Sequence, residues 1–132
     1  LCDGPVVASH ANARAVCDHA RNLTDAQLEA LAAKGGVVGV TFVPSFVAAE
    51  RERQCVETLL DHVDHIVRVA GVDHVGLGSD FDGYDTAQLA GMPDATGLPA
   101  ITAGLQARGY SEEAISKILG GNWLRVFEQV AG

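Results

Sequence analysis

The sequence predicts an α/β chain, a parallel sheet covered by helices. Three observations carry this reading. Short apolar runs (PVVASH, VVGVTF and HVGLGSD) alternate with helical patterns, giving the order β-α-β-α-β-α-α. The runs are apolar throughout rather than alternating, as expected of strands covered on both faces. Successive runs begin about 30 to 37 residues apart, the spacing of β/α units. The 132 residues are enough for one compact domain. Three strands make a poor independent sheet, and a closed (β/α)8 barrel needs about 250 residues. The pattern therefore fits either a small open α/β domain or the closing part of a barrel.

Each element has its own signal. Pro5 to His10 reads as a buried strand with His10 at its C-terminal end. ANARAVCDHARN reads as a loop with one helical turn. In LTDAQLEALAAKGG, Thr24 is an N-cap and Gln27 completes a capping box. Leu28, Leu31 and Ala32 form one apolar face, and Gly35 and Gly36 supply the stop. Val37 to Phe42 is the second strand, followed by a part-helical connection. From about Cys55 to Ala70, Val56, Leu59, Leu60, Val63, Ile66, Val67 and Ala70 recur at helical spacing, giving an amphipathic helix of about four turns ended by Gly71. HVGLGSD is the third strand, and a loop follows it. Leu98 to Arg108 reads as a helix with Pro99 in its first turn. Ser111 caps the next helix, and NWLRVFEQV is expected to bury Trp123, Leu124 and Phe127.

Composition narrows the class. Net charge is −8 with no cluster of Lys and Arg, which argues against a nucleic-acid surface and for a soluble protein. Cys2, Cys17 and Cys55 are widely spaced and odd in number. They form neither a disulfide framework nor a cysteine zinc site, and thiols in a reducing, cytoplasmic compartment are the expectation. No apolar run approaches the roughly 18 residues of a membrane span. The chain opens LCDGPVVASH, without an initial Met and almost directly into a strand. Preceding sequence is therefore expected, and targeting signals cannot be judged from this piece.

His10 and Asp80 each lie just past the end of an expected strand. In parallel α/β folds these ends open on one side, where ligand sites are built. A histidine there can offer a ring nitrogen to a metal, and an aspartate can exchange protons with water or a leaving amine. Arg21 can grip a carboxylate with its two-pronged guanidinium. Each residue also has a plainer reading: a strand-end imidazole bonded to backbone, acids capping a turn, a solvated loop arginine. His62 and His65 in DHVDH resemble a metal motif, but the amphipathic pattern turns Val63 and Ile66 inward and leaves the polar groups outward or flanking the core. Cys17 reads as a buried or half-buried thiol.

Four stretches, PVVASHANARAVCDHARNLTD, GGVVGVTFVPSF, LLDHVDHIVRVAGVDHVGLGSDFDG and RGYSEEAISKILGGNWLRVF, together resemble the C-terminal part of the membrane (renal) dipeptidase family, zinc dipeptidases of the amidohydrolase type. The resemblance covers nearly all of the chain. It implies that residues 1–132 are a single C-terminal fragment of a (β/α)8 barrel domain whose mouth holds two zinc ions. It implies that His10 is a zinc ligand, that Arg21 binds the terminal carboxylate of a dipeptide substrate, and that Asp80 transfers a proton at the scissile amide. Asp82 is expected to shape the turn. Ala11 stands where the family often has Ser, and Thr41 where Asn is common.

The family's H-x-D pair, its bridging glutamate and its other histidines have no counterpart here. Only one zinc ligand is present, against the three or so protein ligands of a catalytic zinc site. The fragment alone is therefore expected to be inactive and to need its missing N-terminal barrel half, and the complete enzyme is expected as a homodimer. Two other readings stand beside this one. One is a non-catalytic α/β binding module derived from the family; the other is an amidohydrolase-type enzyme with a substrate that lacks a carboxylate and so has no use for Arg21.

Overall fold

A computed structural model describes residues 3–132; Cys2 lies outside the described residues. Three strands, β1 (Val7–Ala8), β2 (Val37–Val40) and β3 (Val75–Leu77), form a parallel sheet in the order β1-β2-β3. Val7 pairs with Val37, and Val38, Gly39 and Val40 pair with Val75, Gly76 and Leu77. The α/β class expected from the sequence is the class observed.

Helix α1 (Asp25–Ala33) starts where the capping box puts it. The Thr24 hydroxyl accepts the Gln27 N–H at 3.3 Å, and Gln27 Oε1 accepts the Thr24 N–H at 2.9 Å. Gly35, at φ 73°, turns the chain into β2. Helix α2 (Pro44–Val47) follows β2 closely and opens on a proline. Helix α3 (Val56–Ala70) buries Leu59, Leu60, Val63 and Ile66 and ends at Gly71, φ 98°. Helices α4 (Pro99–Ala107), α5 (Glu112–Ser116) and α6 (Asn122–Ala131) complete the chain, with a π-helical turn at Lys117–Gly121 joining the last two. The Ser111 hydroxyl caps α5 by accepting the Ala114 N–H at 3.1 Å.

The two faces of the sheet differ. Val38, Val40 and Val75 join Leu28, Leu59, Leu60, Val63, Ile66, Ile101 and Leu105 in one hydrophobic core beneath the helices. Each such buried aliphatic side chain contributes about 1.5–3 kcal/mol. The other face is lined by glycine. Gly39 and Gly76 sit side by side, and Trp123 of α6 lies against both, so that a Cβ at Gly76 would strike the indole nitrogen. That nitrogen donates to the Leu77 carbonyl at 3.1 Å. Below it, Asn122 Nδ2 donates to the carbonyls of Val72 and Val75, and Arg125 donates to those of Gly35 and Asp73. The GGNWLRVF segment thus fastens the entry ends of β2 and β3.

Three local expectations are corrected. The first strand is not buried: Val6 and Val7 are 44% and 45% exposed, because β1 lies at the sheet edge and its outer side meets nothing among the described residues. In α6, Leu124 and Phe127 are 63% and 69% exposed, because Asn122 and Val126, four residues apart, take the inward positions. His62, expected to face outward or flank the core, is fully buried.

Candidate active site

All three strands run the same way, so the chain leaves each on the same edge of the sheet. His10 emerges there after β1 and Asp80 after β3, with β2 between them. The crossing from β1 is close: the Ser9 carbonyl lies against Gly39 and Gly78, where any Cβ would collide with it. Ala11 N–H then donates to the Gly39 carbonyl at 2.9 Å, and Phe42 N–H to the Ser79 carbonyl at 3.1 Å. Backbone contacts through β2 therefore stitch the segment around His10 to the segment before Asp80. A concavity of about 530 Å³ lined by Leu77, Leu98, Pro99 and Leu119 holds none of the three candidate residues.

His10 is half-buried, and its Nδ1 lies 2.8 Å from the Ser9 hydroxyl. Its Nε2 lies 3.4 Å from Nη2 of Arg21. A guanidinium can only donate, so Nε2 is the accepting nitrogen and Nδ1 carries the proton. In this tautomer the Nε2 lone pair faces the Arg21 guanidinium. Two of the three residues singled out by sequence, His10 and Arg21, are thus in direct contact.

Arg21 is exposed and sits in the turn 11–22 between β1 and α1. Two buried asparagines shape this turn. Asn12 Nδ2 donates to the Thr41 carbonyl at 3.0 Å, and Asn12 Oδ1 accepts the Thr41 N–H at 2.9 Å. Asn22 Nδ2 donates to the carbonyls of Cys17 and Phe46 at 2.9 and 2.8 Å. The Arg21 guanidinium lies 5.6 Å from the centre of the Phe46 ring, and the His19 ring lies 4.4 Å from that same centre. Sequence reading assigned no role to Asn12 or Phe46. The signal for Asn12 was its place among small and apolar residues in a segment that returns to the sheet; Phe46 carried no local signal.

Asp80 stands in the left-handed region at φ 59°, and Asp82 at φ 64°. Aspartate tolerates this conformation better than most residues, and such backbone is common where a side chain is aimed at a site. The Asp80 carboxylate leans over Gly83, at a position that a Cβ on Gly83 would overlap, and Gly83 N–H donates to the Asp80 carbonyl at 3.0 Å. The D-F-D-G turn therefore needs its glycine for room. Tyr84 packs beside it; its hydroxyl donates to Gln88 Oε1 at 2.7 Å and is held above the ordinary phenol range by burial and by the Asp80 charge.

Cys17 is buried, its thiol donates to the Ser45 carbonyl at 3.7 Å, and burial raises its pKa, with Glu50 and Asp18 adding to the effect. It is a packed thiol rather than an activated one. In DHVDH, His65 meets Asp25 at 2.7 Å, while Asp61 and Asp64 hold Arg108. Among the described residues, no group of three or more His, Cys, Asp or Glu side chains is placed to hold a metal ion. Nor is any helix there long and apolar enough to cross a membrane.

The family model described as "Membrane dipeptidase (Peptidase family M19)" matches residues 1–132. This chain belongs to the membrane dipeptidase family. It is 44% identical over 129 residues to an uncharacterized protein in the pqqA 5' region of Klebsiella pneumoniae, covering 96% of this chain and 47% of that protein. It is 38% identical over 126 residues to dipeptidase tcpJ of Claviceps purpurea (strain 20.1), covering 96% and 29%. In structure it is similar to a metallo peptidase from Rhodobacter sphaeroides, solved with a phosphinate mimic of the dipeptide L-Ala-D-Ala. The TM-score is 0.87 at 43% identity, over 97% of this chain and 37% of that one. The chain spans less than half the length of each of these relatives. The Claviceps relative is a dipeptidase and the Rhodobacter relative a metallo peptidase.

Proposed function

We propose that this chain is the C-terminal part of a (β/α)8 barrel that hydrolyses dipeptides with zinc, and that it supplies one metal ligand, the carboxylate clamp and the proton-transfer acid. The observation that carries this reading is the contact between His10 and Arg21. The His10 Nε2 lies 3.4 Å from the Arg21 guanidinium, at the strand edge where Asp80 also emerges. One group suits a metal and the other a substrate carboxylate, and the two are in direct contact. The Rhodobacter relative was solved with a dipeptide mimic, which supports a dipeptide-sized substrate.

His10 fits as a single zinc ligand, with Ser9 fixing its ring through Nδ1. A catalytic zinc needs about three protein ligands, and the described residues do not provide them. The remaining ligands belong, in this reading, to the preceding part of the barrel. When bound, zinc polarises the peptide carbonyl and lowers the pKa of water. This chain's own residues do the rest of their work around that centre. Arg21 holds the terminal carboxylate of the dipeptide with paired N–H groups, which measures the substrate's length. Asp80 takes the proton released by the attacking water and delivers it to the departing amine nitrogen.

The test uses the complete protein on a small dipeptide, with zinc restored after chelation. Hydrolysis should disappear on chelation and return with zinc, and Asp80→Asn should lower kcat by about 10²–10⁴-fold. Near-normal turnover by Asp80→Asn removes its assigned role. The 132-residue chain alone should show no hydrolysis. Tight stoichiometric zinc on that chain alone would instead favour a self-contained metal-binding module, with ligands other than those named here.

A further inference from the structure

Arg21 is exposed, yet its position is defined from three sides. Its guanidinium lies over the Phe46 ring, its Nη2 contacts His10, and its backbone N–H donates to His19 Nδ1 at 3.2 Å. The His19 ring in turn lies against Phe46 at 4.4 Å, tilted by 35°. The base of this arrangement is anchored. The Phe46 carbonyl accepts from buried Asn22 at 2.8 Å, and the next carbonyl, that of Val47, accepts from buried His62 at 2.8 Å. Among the described residues, Arg21 forms no ion pair with any carboxylate, unlike Arg53 and Arg108.

We propose that Phe46 and His19 are positioning residues that hold the Arg21 guanidinium ready for the substrate's terminal carboxylate, a role that rests on the dipeptidase reading above. The physical argument has two parts. A guanidinium stacked on an aromatic face keeps its edge, with the N–H fork, free for a carboxylate. An arginine held in advance also loses less side-chain entropy when the carboxylate arrives. The arginines that brace this fold donate to carboxylates or to backbone carbonyls, as Arg108 and Arg125 do; the Arg21 guanidinium is held by rings instead, which leaves N–H groups for the carboxylate of a ligand. The effect belongs to ground-state recognition and therefore to KM.

The experiment compares the complete zinc-loaded wild type with Phe46→Leu, Phe46→Tyr and His19→Leu, on a dipeptide and on the same dipeptide with a C-terminal amide. Leucine keeps apolar bulk at Phe46 but lacks the ring face; tyrosine keeps the face. Phe46→Leu should raise KM for the dipeptide about fivefold with kcat within about twofold, and should shrink the preference for free carboxylate over amide about fivefold. Phe46→Tyr should retain both values. His19→Leu should move KM and the preference in the same direction by about twofold, and it serves where Phe46→Leu does not fold. A Phe46→Leu enzyme with wild-type KM and preference overturns the bracket and leaves the dipeptidase reading intact. So does a Phe46→Tyr enzyme as impaired as Phe46→Leu. A wild type that hydrolyses no dipeptide overturns the dipeptidase reading and the bracket together.

Discussion

The buried imidazole of His62 accepts the backbone N–H of Ala13 at 3.1 Å, across 49 residues of sequence. Its other nitrogen therefore carries the proton and donates to the Val47 carbonyl at 2.8 Å. One side chain of α3 thus braces both the turn that carries Arg21 and the helix that carries Phe46. Burial, the dominant cause, holds its pKa below the ordinary 6.5. The unfolded chain takes up this proton near pH 6.5, while the folded chain resists it. Stability should therefore be level above that pH and fall as pH drops below it. Denaturant midpoints from pH 8 to pH 5 should show this decline, and His62→Gln should flatten it. His62→Ala leaves two buried backbone groups unpaired and a cavity, costing about 2–4 kcal/mol by the same measurement.

Gly83→Ala should act on catalysis more than on folding. A methyl there overlaps the Asp80 carboxylate, whose displacement by about 1 Å is enough to lower kcat roughly 10- to 100-fold. Steady-state kinetics of the complete zinc-loaded protein check this, with a thermal melt expected to shift by only a few degrees.

Asn122→Ala should destabilise strongly. Its Nδ2 serves two carbonyls, at 2.7 and 2.8 Å, and the residue is 2% exposed. Losing that donor leaves the Val72 and Val75 carbonyls short of a partner, at a cost of about 2–3 kcal/mol in urea unfolding.

Arg108 meets Glu57, Asp61 and Asp64 of α3, and Tyr110 donates to Asp64 at 2.7 Å. These partners raise the pKa of Arg108 despite the opposing cost of burial; for Tyr110, burial and the Asp64 carboxylate both raise it. Arg108→Met should cost about 1–2 kcal/mol, and the difference from wild type should narrow in 1 M salt, since the three acids are partly exposed. Urea titrations at two salt concentrations measure both effects.

Features encoded in adjacent residues were readable from sequence. The Thr24 and Gln27 capping box, the apolar face of α3 and the stop at Gly71 all follow from spacings within a few turns. The parallel order followed from the apolar runs and their spacing, and it was enough to put His10 and Asp80 on one edge. Features that depend on distant neighbours were not readable. The exposure of Val6 and Val7 follows from the place of β1 at the sheet edge, with no neighbour on its outer side among the described residues. The orientation of α6 follows from the two carbonyls that draw Asn122 inward in preference to Leu124. His62 looked like one polar residue among several in DHVDH, and only Ala13 and Val47 make it a core residue. Phe46 became part of the site because Asn22, 24 residues earlier, fastens its backbone beside Arg21.

The Arg125 clamp has a consequence for the order of assembly. Its guanidinium joins Gly35 to Asp73, and the first of these lies 90 residues upstream. During synthesis β2 and β3 emerge well before α6, and until then their glycine-lined face has no indole over it. Contacts of such long range slow the final step of folding. A chain cut short before α6 therefore keeps that face uncovered.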